Sequence, residues 1–292
     1  MTDVPGSVAR WVLAARPRTL PAAAVPVAVG ATLIRPQSIN WLNTILCVIV
    51  ALALQIGTNY ANDYSDGVRG TDEVRVGPFR LTASKLVAAT RVRNAAFAWF
   101  FLGSLAGLAL ATRTSWWIVL IGATAVLAGW FYTGGPKPYG YFGFGELFVF
   151  IYFGLVATVG TTYVQHESVP VRAWWLGAAT GFMACALLEA NNLRDVEGDR
   201  IAGKKTLAVR LGRRRGPWLY GTCVAGVAVS CIAAGQFGVG VVAIAAYLAP
   251  LRLAFSDKSG RALLPMLQYS ARAQLVVGAV LAVLLATNIY WG

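Results

Sequence analysis

Charged residues are scarce in this sequence of 292 residues. Asp, Glu, Lys and Arg together make up 13% of the chain, against roughly 25% in soluble proteins, whereas 57% of the residues are hydrophobic. The formal net charge is nevertheless +13, because 25 Lys and Arg outnumber 12 Asp and Glu. The composition excludes an ordinary soluble domain. The basic residues stand between apolar blocks, which argues for membrane topology and against nucleic-acid binding.

Histidine and cysteine are also rare. His166 is the only histidine, which excludes metal sites built from several histidines and argues against a Ser-His-Asp triad. The four cysteines lie within apolar blocks and form no Cys-x-x-Cys pair, so neither a zinc site nor a disulfide scaffold is indicated. Short alternating segments typical of an outer-membrane barrel are absent as well.

The hydrophobic residues form long blocks, each near the roughly 20 residues that an α-helix needs to cross a bilayer. The sequence therefore predicts an all-α polytopic membrane protein whose 292 residues form a single transmembrane domain. We expect nine transmembrane helices at about residues 20–34, 41–60, 94–112, 116–132, 145–163, 174–191, 218–236, 237–253 and 273–291.

The basic residues predict the orientation of these helices. All of them except Arg35, Arg113 and Arg172 fall on one face of the membrane when nine helices are assumed. By the positive-inside rule this face is cytoplasmic. It holds the N-terminal segment 1–19 and the loops 61–93 and 192–217, and the C-terminus is external. The chain is thus expected to be a multi-pass protein of the cell membrane.

Two acidic stretches follow the second and the sixth predicted helix, at residues 59–72 and 189–199. Four helices separate them, which suggests two parallel four-helix pseudo-repeats plus one extra helix. Parallel repeats place equivalent ends on one face of the membrane. We therefore expect the two stretches to meet on the cytoplasmic side.

The spacing within each stretch favours a shared helical face. If the second helix continues past residue 60, its Asn and Asp residues are three or four positions apart, and three residues of the other stretch step by four. The residues are Asn59, Asn62, Asp63 and Asp66 in the first stretch and Asn191, Asp195 and Asp199 in the second. Crowded carboxylates repel one another unless a cation joins them.

Oxygen ligands of this kind suit Mg²⁺, which usually keeps room for water and substrate phosphates. Basic residues near the acids could bind the phosphate oxygens. These are Arg69, Lys137, Arg194, Lys204 and Lys205. The pattern indicates a metal–diphosphate site; the alternative is that the polar residues merely cap helix ends beside solvated loops.

Four segments carry a more specific resemblance. They are NDYSDGVRGTD at 62–72 followed by GPFR at 77–80, YTGGPKP at 132–138 followed by Gly143, Gly145 and Glu146, NNLRD at 191–195 followed by Asp199, and GKKTLA at 203–208. Together they resemble the motifs of the UbiA superfamily of intramembrane prenyltransferases. They are similar in particular to its MenA branch, which uses 1,4-dihydroxy-2-naphthoate.

This resemblance implies an enzyme that transfers a polyprenyl group from polyprenyl diphosphate to 1,4-dihydroxy-2-naphthoate. CO₂ and diphosphate would be lost, and demethylmenaquinone would form for menaquinone biosynthesis. It implies Mg²⁺ as cofactor, with Asp63, Asp66, Asp195 and Asp199 as ligands. The expected catalytic residues are Lys137, Tyr132 and Arg69, and the expected substrate-binding residues are Asn59, Asn62, Tyr64, Tyr139, Asn191, Arg194 and Lys204.

Two alternatives stay open at this point. The acceptor could be another aromatic compound, such as 4-hydroxybenzoate. The chain could instead be an ion-coupled transporter, whose intramembrane acids bind cations or protons. The acids here are predicted at one surface rather than at the midplane, which argues against transport. Whether Asp72 and Glu189 belong to the site is also open.

Overall fold

The computed structural model describes residues 6–33, 39–71 and 79–287. Within these ranges the chain is helical and contains no β-strand, which confirms the all-α prediction. The helices are α1 Ser7–Ala14, α2 Pro21–Thr32, α3 Trp41–Arg69, α4 Ala89–Arg113, α5 Trp117–Phe131, α6 Gly145–Val149, α7 Ala157–His166, α8 Val171–Ile201, α9 Leu207–Ala233, α10 Phe237–Ala254 and α11 Leu264–Ala286. A π-helical segment, Phe150–Val156, joins α6 to α7, and a 3₁₀ turn, Gly260–Leu263, leads into α11.

Seven helical segments of the described chain are long and apolar enough to cross a membrane. They are α3, α4, the continuous segment Gly145–His166, α8, α9, α10 and Gly260–Ala286. The first and fourth predicted helices correspond to α2 and α5, which have only 12 and 15 residues. At 1.5 Å per residue they are about 18 and 22 Å long, short of the roughly 30 Å hydrocarbon core. The protein is an integral membrane protein, but the count of nine spans is not confirmed.

Both acidic stretches are helical, which corrects the predicted loops 61–93 and 192–217. Helix α3 continues to Arg69 and ends at Gly70, whose backbone at φ 73° adopts the left-handed conformation typical of a helix C-cap. Helix α8 continues to Ile201, well beyond the predicted end at 191. Hydropathy falls where the polar residues begin, but the backbone hydrogen bonds of the helix do not depend on hydropathy. Helix α11 likewise begins at Leu264, earlier than predicted.

The helices pack mainly around α8. Helix α3 lies against α4, α8 lies against α9, and α2 contacts α7 and α11. The larger apolar core joins α2 with α8 to α11, and a smaller one joins α1, α3 and α4. The pairs α3–α4 and α8–α9 each begin with a long helix that carries an acidic stretch at its end. This arrangement fits the two-repeat interpretation, which stays a prediction.

Candidate active site

A cavity of about 880 Å³ extends from the ends of α3 and α8 between the apolar helices. Asp66, Arg80, Asp199 and Lys204 line its polar end. The rest of its wall is largely apolar and comes from α2 to α5, the segment Gly145–His166 and α8; it includes Val27, Val50, Leu54, Leu108, Ile121, Phe148 and Val159. The cavity thus joins a charged pocket to an apolar chamber.

Lys204 connects the two acidic helices at the polar end. Its Nζ lies 3.6 Å from Asp66 Oδ2 on α3 and 3.3 Å from Asp199 Oδ1 on α8. The turn that follows α8 holds Lys204 in place, because its backbone N–H donates to Asp199 O at 2.9 Å. All three side chains are buried. The two stretches therefore meet, and a single cation is shared between their carboxylates.

Tyr141 and Arg80 complete the surroundings of Asp66. The Tyr141 hydroxyl donates to Asp66 Oδ1 at 2.6 Å, and Arg80 Nη2 lies 3.6 Å from Asp66 Oδ2. Lys204 Nζ also lies 4.8 Å from the centre of the Tyr141 ring. Burial, followed by the Asp66 carboxylate, raises the pKa of Tyr141 above its ordinary value. The hydroxyl therefore remains a donor at neutral pH.

Asp63 and Asp195, two of the predicted metal ligands, do not line the cavity in this structure. Asp63 is almost fully buried and accepts hydrogen bonds from the backbone N–H groups of Leu81 and Thr82, at 2.8 and 2.9 Å. Asp195 accepts a bidentate pair from Arg194, Nε at 2.8 Å and Nη2 at 2.7 Å. The first carboxylate fixes the segment after α3, and the second fixes a buried arginine.

Four predicted residues also lie away from the cavity wall. Arg69 donates to the backbone carbonyls of Thr133 and Gly135, so it joins the end of α3 to the 133–135 turn. Arg194 is engaged by Asp195, Tyr64 stacks on Trp130 with ring centres 6.2 Å apart, and Lys137 is exposed. Their predicted catalytic or binding roles have no direct geometric support in this arrangement.

The other predicted residues do line the cavity: Asn59, Asn62, Tyr132, Tyr139, Asn191 and Lys204. Asn59 Nδ2 donates to Ala15 O at 2.8 Å, and Asn62 Oδ1 accepts from the Thr133 hydroxyl at 2.7 Å. These bonds tie α3 to the segment after α1 and to the turn after α5. The polar groups of the first stretch thus position neighbouring segments around the cavity.

Aromatic rings form one wall of the cavity. The Tyr132 and Tyr139 rings meet edge to face at 5.5 Å, and Tyr139 stacks on Phe148 at 4.1 Å. The Tyr139 hydroxyl donates to Ala128 O at 2.9 Å, which fixes its ring. Aromatic faces attract cations, so this wall can stabilise positive charge beside the carboxylate pocket.

The sequence analysis missed several residues that line the polar end: Arg16, Arg80, Tyr141, Thr133, Asn192 and Thr206. Arg80 and Asn192 lie inside the segments that carry the family resemblance, and Tyr141 follows another of them by three positions. Proximity to those motifs was the available signal. Asp72 lies outside the described residues, and Glu189 is buried beside Asn192 rather than on the cavity wall.

The residues at the polar end fit a magnesium ion that is shared with a substrate. Within the described residues, no three His, Cys, Asp or Glu side chains form a ready group of metal ligands. Asp66 and Asp199 nevertheless converge on one cation, as Lys204 shows. Mg²⁺ is commonly bound by one or two carboxylates together with water and substrate phosphates. Two carboxylates from opposite helices meet this requirement without a complete protein cage.

Comparison with known proteins agrees with the motifs. Residues 23–262 match the UbiA prenyltransferase family. A curated 1,4-dihydroxy-2-naphthoate octaprenyltransferase of Mycobacterium tuberculosis (strain ATCC 25618 / H37Rv) is 47% identical over 279 residues, which cover 92% of this chain and 94% of the relative. The protein of that name from Escherichia coli (strain K12) is 36% identical over 210 residues, 69% of this chain and 68% of the relative.

Solved structures support the same fold. A UbiA homologue from Archaeoglobus fulgidus, bound to DMAPP and Mg²⁺, superimposes with a TM-score of 0.64 at 17% identity, over 94% of this chain and 99% of that chain. A UbiA homologue from Aeropyrum pernix K1 gives a TM-score of 0.66 at 15% identity, over 92% of this chain and 98% of that chain. The family match spans most of the chain, and the resemblance in the sequence motifs is confirmed: this chain belongs to the UbiA prenyltransferase family.

Proposed function

We propose that this protein transfers a polyprenyl group from a polyprenyl diphosphate to 1,4-dihydroxy-2-naphthoate. CO₂ and diphosphate leave, and demethylmenaquinone forms for menaquinone biosynthesis. The observation that carries the proposal is the meeting of Asp66, Lys204 and Asp199 at the polar end of a largely apolar cavity. The 47% identity to a curated enzyme named for this acceptor supports the choice of acceptor.

The polar end is suited to the diphosphate. Arg16, Arg80 and Lys204 all line it, and cationic side chains form strong charge-assisted hydrogen bonds with phosphate oxygens. Asp66 and Asp199 are the residues that would hold Mg²⁺ there. The ion would act as a Lewis acid that neutralises charge on the departing diphosphate. Asp63 and Asp195 then serve from behind, by fixing the 81–82 backbone and Arg194.

The apolar chamber is suited to the isoprenoid and to the reaction that follows. Departure of diphosphate leaves positive charge on the allylic carbon, and the acceptor ring supplies the electrons of the new carbon–carbon bond. The faces of Tyr132 and Tyr139 can stabilise this charge by about 0.5–2 kcal/mol each. The apolar wall excludes water, which would otherwise trap the cation.

The location of the site follows from the distribution of charge. We place both acidic helix ends on the cytoplasmic side of the cell membrane, with an external C-terminus. Nine helical segments fit this orientation if the short helices α2 and α5 enter the membrane without crossing it independently. Shorter helices can be accommodated by local thinning of the bilayer or by packing against longer neighbours.

A reconstitution assay tests the proposed function. The purified protein in nanodiscs is given polyprenyl diphosphate, Mg²⁺ and either 1,4-dihydroxy-2-naphthoate or 4-hydroxybenzoate, and the products are identified by mass. We expect a prenylated product that lacks CO₂ from the naphthoate alone, and its loss in EDTA with recovery on added Mg²⁺. Product from 4-hydroxybenzoate alone would reassign the acceptor. Solute uptake into sealed vesicles without any prenyl transfer would replace the enzyme by a transporter.

A further inference from the structure

We infer that Asn192 recognises a hydroxyl group of the aromatic acceptor, and that Glu146 and Glu189 position its side chain for this purpose. The inference rests on the proposed function and concerns the acceptor end of the cavity, for which the sequence indicates no residue. Asn192 lies on α8 and lines the cavity. It precedes Asp199 by seven positions, so about 10 Å of helix separates it from the carboxylate pocket.

The amide of Asn192 has one fixed orientation. Its Nδ2 donates to Glu146 Oε1 at 3.0 Å and to Glu189 Oε1 at 3.3 Å. An amide nitrogen carries two hydrogens, so both donors are engaged. The carbonyl Oδ1 is left as the polar atom available to the cavity. Reversal of the amide would set Oδ1 against two carboxylates, which accept hydrogen bonds when ionised and cannot donate.

The two glutamates are firmly held. Glu189 is fully buried on α8, and its carboxyl group lies within hydrogen-bonding reach of that of Glu146. Glu146 begins the segment Gly145–His166, and its backbone carbonyl accepts a hydrogen bond from Cys185 Sγ on α8 at 3.3 Å. No salt bridge joins either glutamate to a basic residue in the described part of the chain. Their hydrogen bonds to Asn192 are therefore the main polar contacts of the pair.

A fixed acceptor atom selects for a donor. Phosphate oxygens cannot donate to Oδ1, so this position does not suit the diphosphate of the prenyl substrate. A phenolic hydroxyl can donate, and the acceptor carries two of them. A site built to hydrogen-bond a hydroxyl discriminates strongly against an analogue that lacks it. Asn192 thus gives the cavity a means of choosing a hydroxylated ring at a fixed distance from the carboxylates.

The test compares acceptor preference in wild type and Asn192→Leu, which has a similar size and no polar atom. Equilibrium binding and kcat/KM are measured for 1,4-dihydroxy-2-naphthoate and for each naphthoate that lacks one hydroxyl. We expect the preference for the dihydroxy compound to fall about tenfold for one of the two positions, with KM for polyprenyl diphosphate within twofold of wild type. The ratio between proteins cancels the intrinsic reactivity of each ring.

Two further variants guard the interpretation. Asn192→Ser provides a second test if the leucine variant does not fold, and it should lose the same preference because its oxygen is too short to reach. Asn94→Leu, at an exposed position of α4, is the matched control and should behave as wild type. Glu146→Gln supplies a donor that permits the Asn192 amide to reverse, so it should weaken the hydroxyl preference while thermal unfolding in detergent stays close to wild type.

The possible failures are distinct. An unchanged hydroxyl preference in both Asn192 variants overturns the inference, and so does a rise in KM for polyprenyl diphosphate or in the Mg²⁺ requirement. Wild-type protein that binds the dihydroxy compound selectively but forms no prenylated product would refute the proposed function instead. Because binding is measured without turnover, the role of Asn192 is decided in either case.

Discussion

At the scale of single residues, the four aspartates divide into two roles. Asp66 and Asp199 line the cavity and share Lys204, whereas Asp63 and Asp195 bond to the backbone and to Arg194 behind it. Residues three positions apart on a helix point about 60° away from each other. That difference is enough to direct Asp66 to the cavity and Asp63 to the 81–82 segment.

This division predicts different outcomes for two similar substitutions. Asp66→Asn should lower kcat by on the order of 100-fold with little loss of stability, because it removes charge from a site that compensates several kcal/mol of developing charge. Asp63→Asn should instead lower stability by about 1–3 kcal/mol, since one of two buried N–H groups loses its acceptor. Activity assays and thermal unfolding in detergent separate the effects. Asp257→Asn, at an exposed position, is the control; equal kcat losses for Asp63 and Asp66 would contradict the division.

The Tyr141 hydroxyl makes a second residue-level prediction. Tyr141→Phe removes a 2.6 Å hydrogen bond to Asp66, and a bond to a charged group contributes about 1.5–3 kcal/mol. We expect a roughly 10- to 100-fold lower kcat/KM for polyprenyl diphosphate. Tyr269→Phe, on the exposed side of α11, should have no such effect.

The pH dependence of this contact has a definite sign. Burial and Asp66 raise the pKa of Tyr141, and a tyrosine is a donor only while it is protonated. Its contribution is therefore fully present below the ordinary tyrosine pKa of about 10, and it is lost as the pH rises through the higher folded value. A pH–rate profile should show no loss of activity between neutral pH and about pH 9 that disappears in Tyr141→Phe. Such a loss would show that the hydroxyl ionises in this range.

At the scale of helices, the sequence predicted most elements but not the directions of their polar residues. Long apolar blocks identified the spanning segments, since hydropathy and length alone decide whether a helix can cross a bilayer. The end of α3 was predicted too early, because polar residues such as Asn62 were taken to end the helix. They stay helical because Gly70 provides the cap and the 79–82 and 133–135 segments supply polar partners. Those partners lie far away in the sequence, and so the pattern could not reveal them.

Close packing of the π-helical segment on α8 gives an element-level prediction. A Cβ on Gly154 would lie 2.5 Å from Gly181 Cα and 2.6 Å from Gly177 O, all backbone atoms that cannot yield cheaply. Small residues allow membrane helices to approach in this way. Gly154→Ala should therefore lower stability by about 1–3 kcal/mol through overpacking, measured by thermal unfolding in detergent.

The matched control for this prediction lies in the same continuous helix. A Cβ on Gly160 meets no atom within 4 Å, so Gly160→Ala should be neutral or stabilising by up to about 1 kcal/mol through helix propensity. A loss of equal size in both variants would attribute the effect to the loss of glycine in general and not to the contact with α8.

At the scale of the whole molecule, the cytoplasmic face collects the acidic helix ends and most of the basic residues. Lys204 joins the ends of α3 and α8, and Arg213 on α9 donates to the backbone carbonyls of Ser256 and Lys258 after α10. These contacts hold the three connections on one side of the bundle. The positive-inside rule assigns that side to the cytoplasm.

A pair of cysteine substitutions tests this orientation. Ser168 lies between α7 and α8, Ser259 lies after α10, and both are exposed. All four native cysteines are buried, so background reaction with a membrane-impermeant maleimide should be low. We expect Ser168→Cys to be labelled in intact cells and Ser259→Cys only after permeabilisation, because the two connections lie on opposite faces of the membrane. Labelling of both in intact cells would place them on one face, and the reverse pattern would put the active site outside, where charged substrates from the cytoplasm could not reach Asp66 and Asp199 directly.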